Sequence, residues 1–265
     1  MRNLKLLSAA TALAVLLLTG NTISATTDDH DDSSSSCKQL PSQAALRAAL
    51  VAARLQSNGG FNLDMWGTIV NRDGVVCAVA FTGHERGDQW PGSRVISAQK
   101  ANTANAFSLA GLALSTANLY TAVLPGGSLF GLQFSNPVNT SVAYRGDSKD
   151  YGQPDDPMVG GKIGGVNVFG GGLALYNKEK QLIGAVGVSG DSSCADHNIA
   201  WRTRHSLNLD YVPAGVSTDL KRPDNIVYDI TPASGLALGV SASGWGHPVC
   251  TPASTMIAGQ LPAVQ

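Results

Sequence analysis

Charge is scarce in this chain of 265 residues: only 14% are Asp, Glu, Lys or Arg, and Lys+Arg 18 against Asp+Glu 19 leaves a net charge of -1. A surface with so little positive excess has nothing to track a phosphate backbone, so nucleic acid is excluded as an expected partner. Beyond its N-terminal segment the chain lacks any apolar run long enough to cross a hydrocarbon core about 30 Å thick. Its cysteines, Cys37, Cys77, Cys194 and Cys250, form no CxxC pair and no CxxCH motif. That removes a zinc knuckle, a thioredoxin-type site and a c-type haem attachment. Gly187-Val188-Ser189-Gly190-Asp191 misses the G-x-S-x-G elbow of a serine hydrolase, because its second glycine stands one position early.

The N-terminal segment reads as an export signal. Arg2 and Lys5 precede an apolar run from Leu6 to Leu18 and a short polar stretch closing on Ser24 and Ala25, the layout of a secretory signal peptide cleaved near Ala25. Residues 26–36 are acidic and serine-rich with no large apolar side chain, so a flexible tether is expected. A single folded domain over residues 37–265 follows, exported to a periplasm or to the extracellular space. There, structural disulfides are favoured. Three pairings are open; Cys37 with Cys77 and Cys194 with Cys250, which tie each tail to the core, are preferred. Asn139-Thr140-Ser141 is a glycosylation sequon, meaningful only in a host that glycosylates.

Pro41 to Gln56 carries Ala45, Ala49, Ala52 and Ala53 with Leu46 and Leu50 at helical spacing, Ser42 as N-cap and Gly59-Gly60 as stop, which predicts a helix. Trp66 to Gly83 and Gly171 to Gly190 then share one pattern of apolar strand, polar turn and second apolar strand. Asn71-Arg72-Asp73-Gly74 is a strong hairpin turn and Asn177-Lys178-Glu179-Lys180 a weaker one. Each hairpin leads into a helix, Ser93 to about Leu109 and Ser193 to about Leu209, the second with Ser193 and Asp196 in capping-box spacing. The expected fold is α+β: an antiparallel sheet flanked by helices in a doubled β-β-α pattern, a profilin-like layering rather than a Rossmann alternation. Residues 124–161, rich in Gly, Pro, Asn and Asp, read as an insertion forming a lid, pocket wall or oligomer contact. A C-terminal tail begins near residue 211.

The stretch GGKIGGVNVFGGGLALYNKEKQLIGAVGVSGDSSCADHNIAWRTR, from Gly160 to Arg204, resembles the C-terminal signature of the GlcG/HbpS family. Its matching features are the glycine run Gly170-Gly171-Gly172, the strand Ile183 to Gly190, and Asp196 on the following helix. Upstream, Lys100, Ala101, Thr103 and Ala104 match the family's other helix, and the likeness spans roughly Ala44 to Asn208. The insertion and the segment after Asp210 depart from the pattern. The resemblance implies a homo-oligomer with haem or another small ligand at the sheet surface or a subunit contact.

Residue chemistry points to the loops at the helix starts. Ser189, Gly190 and Asp191 end a strand before a helix N-terminus, a place that favours an anion such as a carboxylate or haem propionate. Arg94 and Lys100 are candidates to pair with ligand carboxylates, and Asp196 with Ser189, Gly190 and Asp191 completes the expected ligand-binding set. The plainer reading is that Gly187 and Gly190 permit the turn and Asp196 caps the helix. His197, Trp201, Arg204 and His205 share a helix face, but the two histidines stand about 12 Å apart and cannot hold one metal together. A mixed site of His84, Glu85 and His197, joined across the two equivalent loops, is the candidate place for a transition metal ion, and the favoured plainer reading of His84-Glu85 is a solvated charged loop. The first functional expectation is an exported module that binds haem or a related iron-linked ligand for sensing, storage or protection. The alternative is a metal-dependent enzyme of small oxidative or lyase type, and the third is an oligomeric structural protein.

Overall fold

The computed structural model describes residues 37–265; the expected signal peptide and tether lie outside the described residues. Helix α1 (Gln43–Arg54) begins where the Ser42 hydroxyl accepts the Ala45 N–H at 3.3 Å, and it buries Leu46, Ala49, Leu50 and Ala53. Strands β1 (Trp66–Asn71) and β2 (Val76–Phe81) lead into α2 (Ser93–Phe107); β3 (Gly172–Tyr176) and β4 (Leu182–Ser189) lead into α3 (Ser193–Ser206). The expected repeat is therefore present. Its two turns differ in strain: Gly74 takes φ 75 in the first, while Lys180 takes φ 59 in the second, a left-handed conformation unfavourable to a residue with a Cβ.

All four strands form one antiparallel sheet in the order β2-β1-β4-β3. Side chains alternate between its faces. Ile69, Leu173, Leu175, Val186 and Val188 pack with Leu46 and Leu50 of α1 and Ile199 and Trp201 of α3. Trp66, Val70 and Ala185 pack with Val95, Ala98, Ala101 and Ala104 of α2 on the other face. The doubling is thus not symmetric, because α2 and α3 cover opposite faces. The glycines of β3 and β4 let α2 lie directly on strand backbone: a Cβ on Gly187 would stand 1.9 Å from the Ser97 carbonyl oxygen, and one on Gly172 would stand 2.5 Å from that of Lys100.

Trp66 pairs with both Phe81 and Ser189, so the chain leaves β2 and β4 at the same end of the sheet. The insertion between the halves is anchored beside α2, where Ala143 and Met158 join its core. The segment after residue 211 is no loose tail. It forms a hairpin, β5 (Ile230–Ala233) and β6 (Leu236–Ser241), and a helix, α4 (Pro252–Ala258). It also closes over α3: the Trp201 indole N–H donates to the Pro262 carbonyl at 3.0 Å, and Arg204 pairs with Asp224 out of solvent. Disulfides join Cys37 to Cys77 and Cys194 to Cys250, the preferred pairing. Among the described residues no helix is long and apolar enough to cross a membrane.

Candidate functional site

The glycine run before β3 is where the two halves meet. Lys100 of α2 reaches past the sheet end to Asp196 of α3, Nζ to Oδ2 at 2.7 Å, and donates also to the Val188 carbonyl at 3.0 Å. Gly171 makes the passage: a Cβ there would lie 2.3 Å from the Val188 oxygen, 3.1 Å from Asp196 Cβ and 3.2 Å from Lys100 Nζ. Lys100 is 1% and Asp196 2% exposed. Burial pushes the Lys100 ammonium down and the Asp196 carboxyl up to about 6, with their mutual attraction opposing both shifts.

The expected anion cradle is occupied by the protein itself. Asp191 accepts the N–H groups of Phe61 at 2.9 Å, Leu63 at 3.2 Å and Ser192 at 2.5 Å, and its own N–H donates to Asp196 at 2.8 Å. Ser192, not Ser193, caps α3, its hydroxyl accepting from Ala195. Asp196 is thus a clasp between helices, correcting the capping box placed on Ser193. Ser189 hydrogen-bonds Ser93 at 3.3 Å, and a Cβ on Gly190 would stand 2.4 Å from the Asp64 carbonyl oxygen. Arg94 is spent on Asp156, through Nε at 2.9 Å and through Nη2, and on the Ala143 carbonyl at 2.7 Å. Lys100, Asp196 and Asp191 are thus joined in one internal network, while Arg94 and Ser189 are engaged separately with Asp156 and Ser93, so both cations are already paired within the protein.

The expected metal set does not assemble either. The loops after β2 and β4 do emerge at one end of the sheet, but the chain turns to opposite faces beyond them. His197 is carried beneath the C-terminal segment, 0% exposed, where its Nε2–H donates to Asn225 Oδ1 at 3.1 Å. Desolvation lowers its pKa to about 4. His84 and Glu85 stay exposed on the loop after β2, held by Asp88, which accepts both backbone N–H groups at 2.7 and 3.0 Å. Among the described residues, the metal-ligating side chains that converge are instead Cys194, His247 and Cys250.

Beside hollows at Asp191 with Arg54 and Gly60 and at Arg72 with Gln181, two more border the loop from His84 to Pro91. Among the described residues, the His84 imidazole has both ring nitrogens free of hydrogen bonds, whereas His205 is paired with Asp210 at 2.6 Å and His247 with Ser193 and Pro248. His84 borders a hollow of about 220 Å³ with Arg54 and Leu55. Two residues on, Arg86 borders an apolar hollow of about 230 Å³ walled by Trp66, Pro91, Tyr144 and Tyr151. Tyr144 and the neighbouring Trp90 stand largely in solvent. Sequence reasoning placed His84 here but missed Arg86 and the two tyrosines, because the insertion that supplies the tyrosines has no periodicity to position it.

The family described as haem degrading protein, HbpS-like, matches residues 40–204. The chain belongs to this family. The family match covers both β-β-α halves and stops before the C-terminal closure. Solved structures similar to it include Klebsiella pneumoniae protein ORFY, 24% identical over 63% of this chain and 90% of that one, with a TM-score of 0.43. A PduOC:haem complex is 23% identical over 63% and 91%, with a TM-score of 0.44. A Streptomyces reticuli HbpS double mutant is 17% identical over 74% and 99%, with a TM-score of 0.40. No curated protein matches the chain.

Proposed function

We propose that this HbpS-like protein is an exported haem-binding module in which the His84–Pro91 loop would hold the tetrapyrrole at the protein surface, with His84 as a nitrogen donor for its iron. The observation that carries the site is a free imidazole on the same loop that walls an aromatic hollow. The residues fit such a group: His84 supplies a nitrogen donor, Tyr144 and Tyr151 supply aromatic surface, and Arg86 supplies a cation for a propionate. A hollow of about 230 Å³ is below the roughly 300 Å³ of sites that enclose a whole small molecule. A tetrapyrrole would therefore be held against this surface rather than enclosed by it. Bound haem would bring redox-active iron, which His84 would ligate and Arg86 would help to hold.

Export is supported by the N-terminal sequence and by two disulfides, which persist in oxidising compartments. Self-association belongs to the same proposal, since the insertion leaves Phe130 60% and Phe134 84% exposed. Haemin titration of the mature chain tests the site. A Soret band shifted from free haemin is expected, with binding at least tenfold weaker, about 1.4 kcal/mol, in His84→Ala. No shifted band, or equal affinity in the variant, overturns the assignment.

A further inference from the structure

The start of α3 carries a cluster that the haem proposal does not use. Cys194, His247 and Cys250 place one ligand atom each within 4.8 Å of one another. His247 Nδ1 is 4.0 Å from Cys194 Sγ, and the Pro248 carbonyl oxygen sits between them, 2.7 Å from Nδ1 and 3.6 Å from Sγ. On the far side of the ring Nε2 meets the Ser193 hydroxyl at 2.8 Å, and that hydroxyl is itself fixed by the Gly170 N–H at 2.7 Å. A metal-ligating histidine is oriented in this way, through its second nitrogen. The N–H of Cys194, the second residue of α3, points at Cys250 Sγ from 3.2 Å, a donor at a helix N-terminus that favours a thiolate on Cys250. Cys250 is the exposed member of the three.

We propose that reduction of Cys194–Cys250 converts this cluster into a Cys2His site for a borderline-soft divalent ion of the zinc class. A dithiol donor entering at Cys250 delivers two electrons and two protons, leaving two thiols and its own disulfide. The ion then binds two thiolates and releases two protons. The proton on His247 Nδ1, now donated to the Pro248 carbonyl, moves to Nε2 and is accepted by Ser193, so the ring stays neutral and Nδ1 becomes a ligand. The Pro248 carbonyl or a water completes four ligands. The two Cα atoms are 6.0 Å apart, which leaves side-chain rotation free to open the sulfurs to the roughly 3.7 Å that tetrahedral ligands about 2.3 Å from zinc require.

The test uses the full mature chain, a phosphine reductant and Zn2+ or Co2+ alone, followed by metal analysis and the thiolate-to-cobalt charge-transfer band. The expected result is one ion per reduced chain, none per oxidised chain, and at least a hundredfold weaker binding in His247→Ala, which still offers every thiol of the wild type. Equal binding by His247→Ala, or no binding by reduced protein that keeps its circular dichroism, overturns the proposal. If reduction alone unfolds the chain, melting with and without Zn2+ gives the answer. A rise in Tm for the wild type and none for His247→Ala upholds it; the absence of a rise sinks it.

Discussion

Lys100 shows how a residue with ligand-binding chemistry becomes structural. Among the described residues its ammonium hydrogen-bonds Asp196 and the Val188 carbonyl, so removing it strands a buried carboxylate. Lys100→Met should cost about 3–5 kcal/mol in urea unfolding. Lys100→Met combined with Asp196→Leu should cost less than the sum of the single changes, because neither charge is then left alone. A sum that is simply additive would show that the pair is not coupled. His197 makes the second prediction at this scale. Its pKa is about 4 when folded against about 6.5 unfolded, so between those values the unfolded chain binds a proton that the folded chain does not. Stability is lost as pH falls through that window, and His247, held down to about 4, acts in the same direction. Asp196, raised to about 6, binds its proton in the folded state and opposes them from about pH 6 to 3.8. Against wild type, His197→Gln should have a stability–pH slope lower by about one proton, ~1.4 kcal/mol per pH unit, between pH 6 and 4.5. Parallel slopes in thermal melts would rule out a neutral buried His197.

At the scale of elements, α2 rests on β4 where Gly187 stands, and this contact has no tolerance. Gly187→Ala would set a methyl 1.9 Å from the Ser97 oxygen, and backbone rather than a flexible side chain would have to move. A loss of about 3 kcal/mol or more in the urea midpoint is expected, at the upper end of overpacking costs; a loss below about 1 kcal/mol would show that α2 shifts freely. The elements themselves were legible. Helical spacing and Ser42 placed α1, and the turn at Gly74 with the apolar runs placed both hairpins. What periodicity does not encode is the face to which each helix turns after its hairpin. The two loops do share an end of the sheet, as the repeat implied, yet His84 and His197 part company because α2 and α3 diverge. Asp156 and Asp224, which neutralise Arg94 and Arg204, were likewise invisible: each lies in an aperiodic segment, and long-range ion pairs leave no local signature. The cluster at Cys194 was half visible. His247 stands three residues before Cys250, but only the fold brings Cys194 to them.

For the whole molecule, the C-terminal segment is a third wall rather than an appendage, since it supplies Asn225 to His197, Asp224 to Arg204 and Cys250 to Cys194. The face of α3 that looks like a ligand-bearing surface in the sequence is thereby closed, and the haem proposal moves to the loop after β2. The Lys100–Asp196 clasp has a further effect on this assembly. It ties a helix from one side of the sheet to a helix on the other, so neither layer can peel away alone without exposing an unpaired charge. Local opening of α2 and α3 should therefore be one event, and the slowest amide hydrogens of both helices should exchange with a common free energy in native-state hydrogen exchange. In Lys100→Met they should separate into two classes, α2 and α3 each opening on its own schedule.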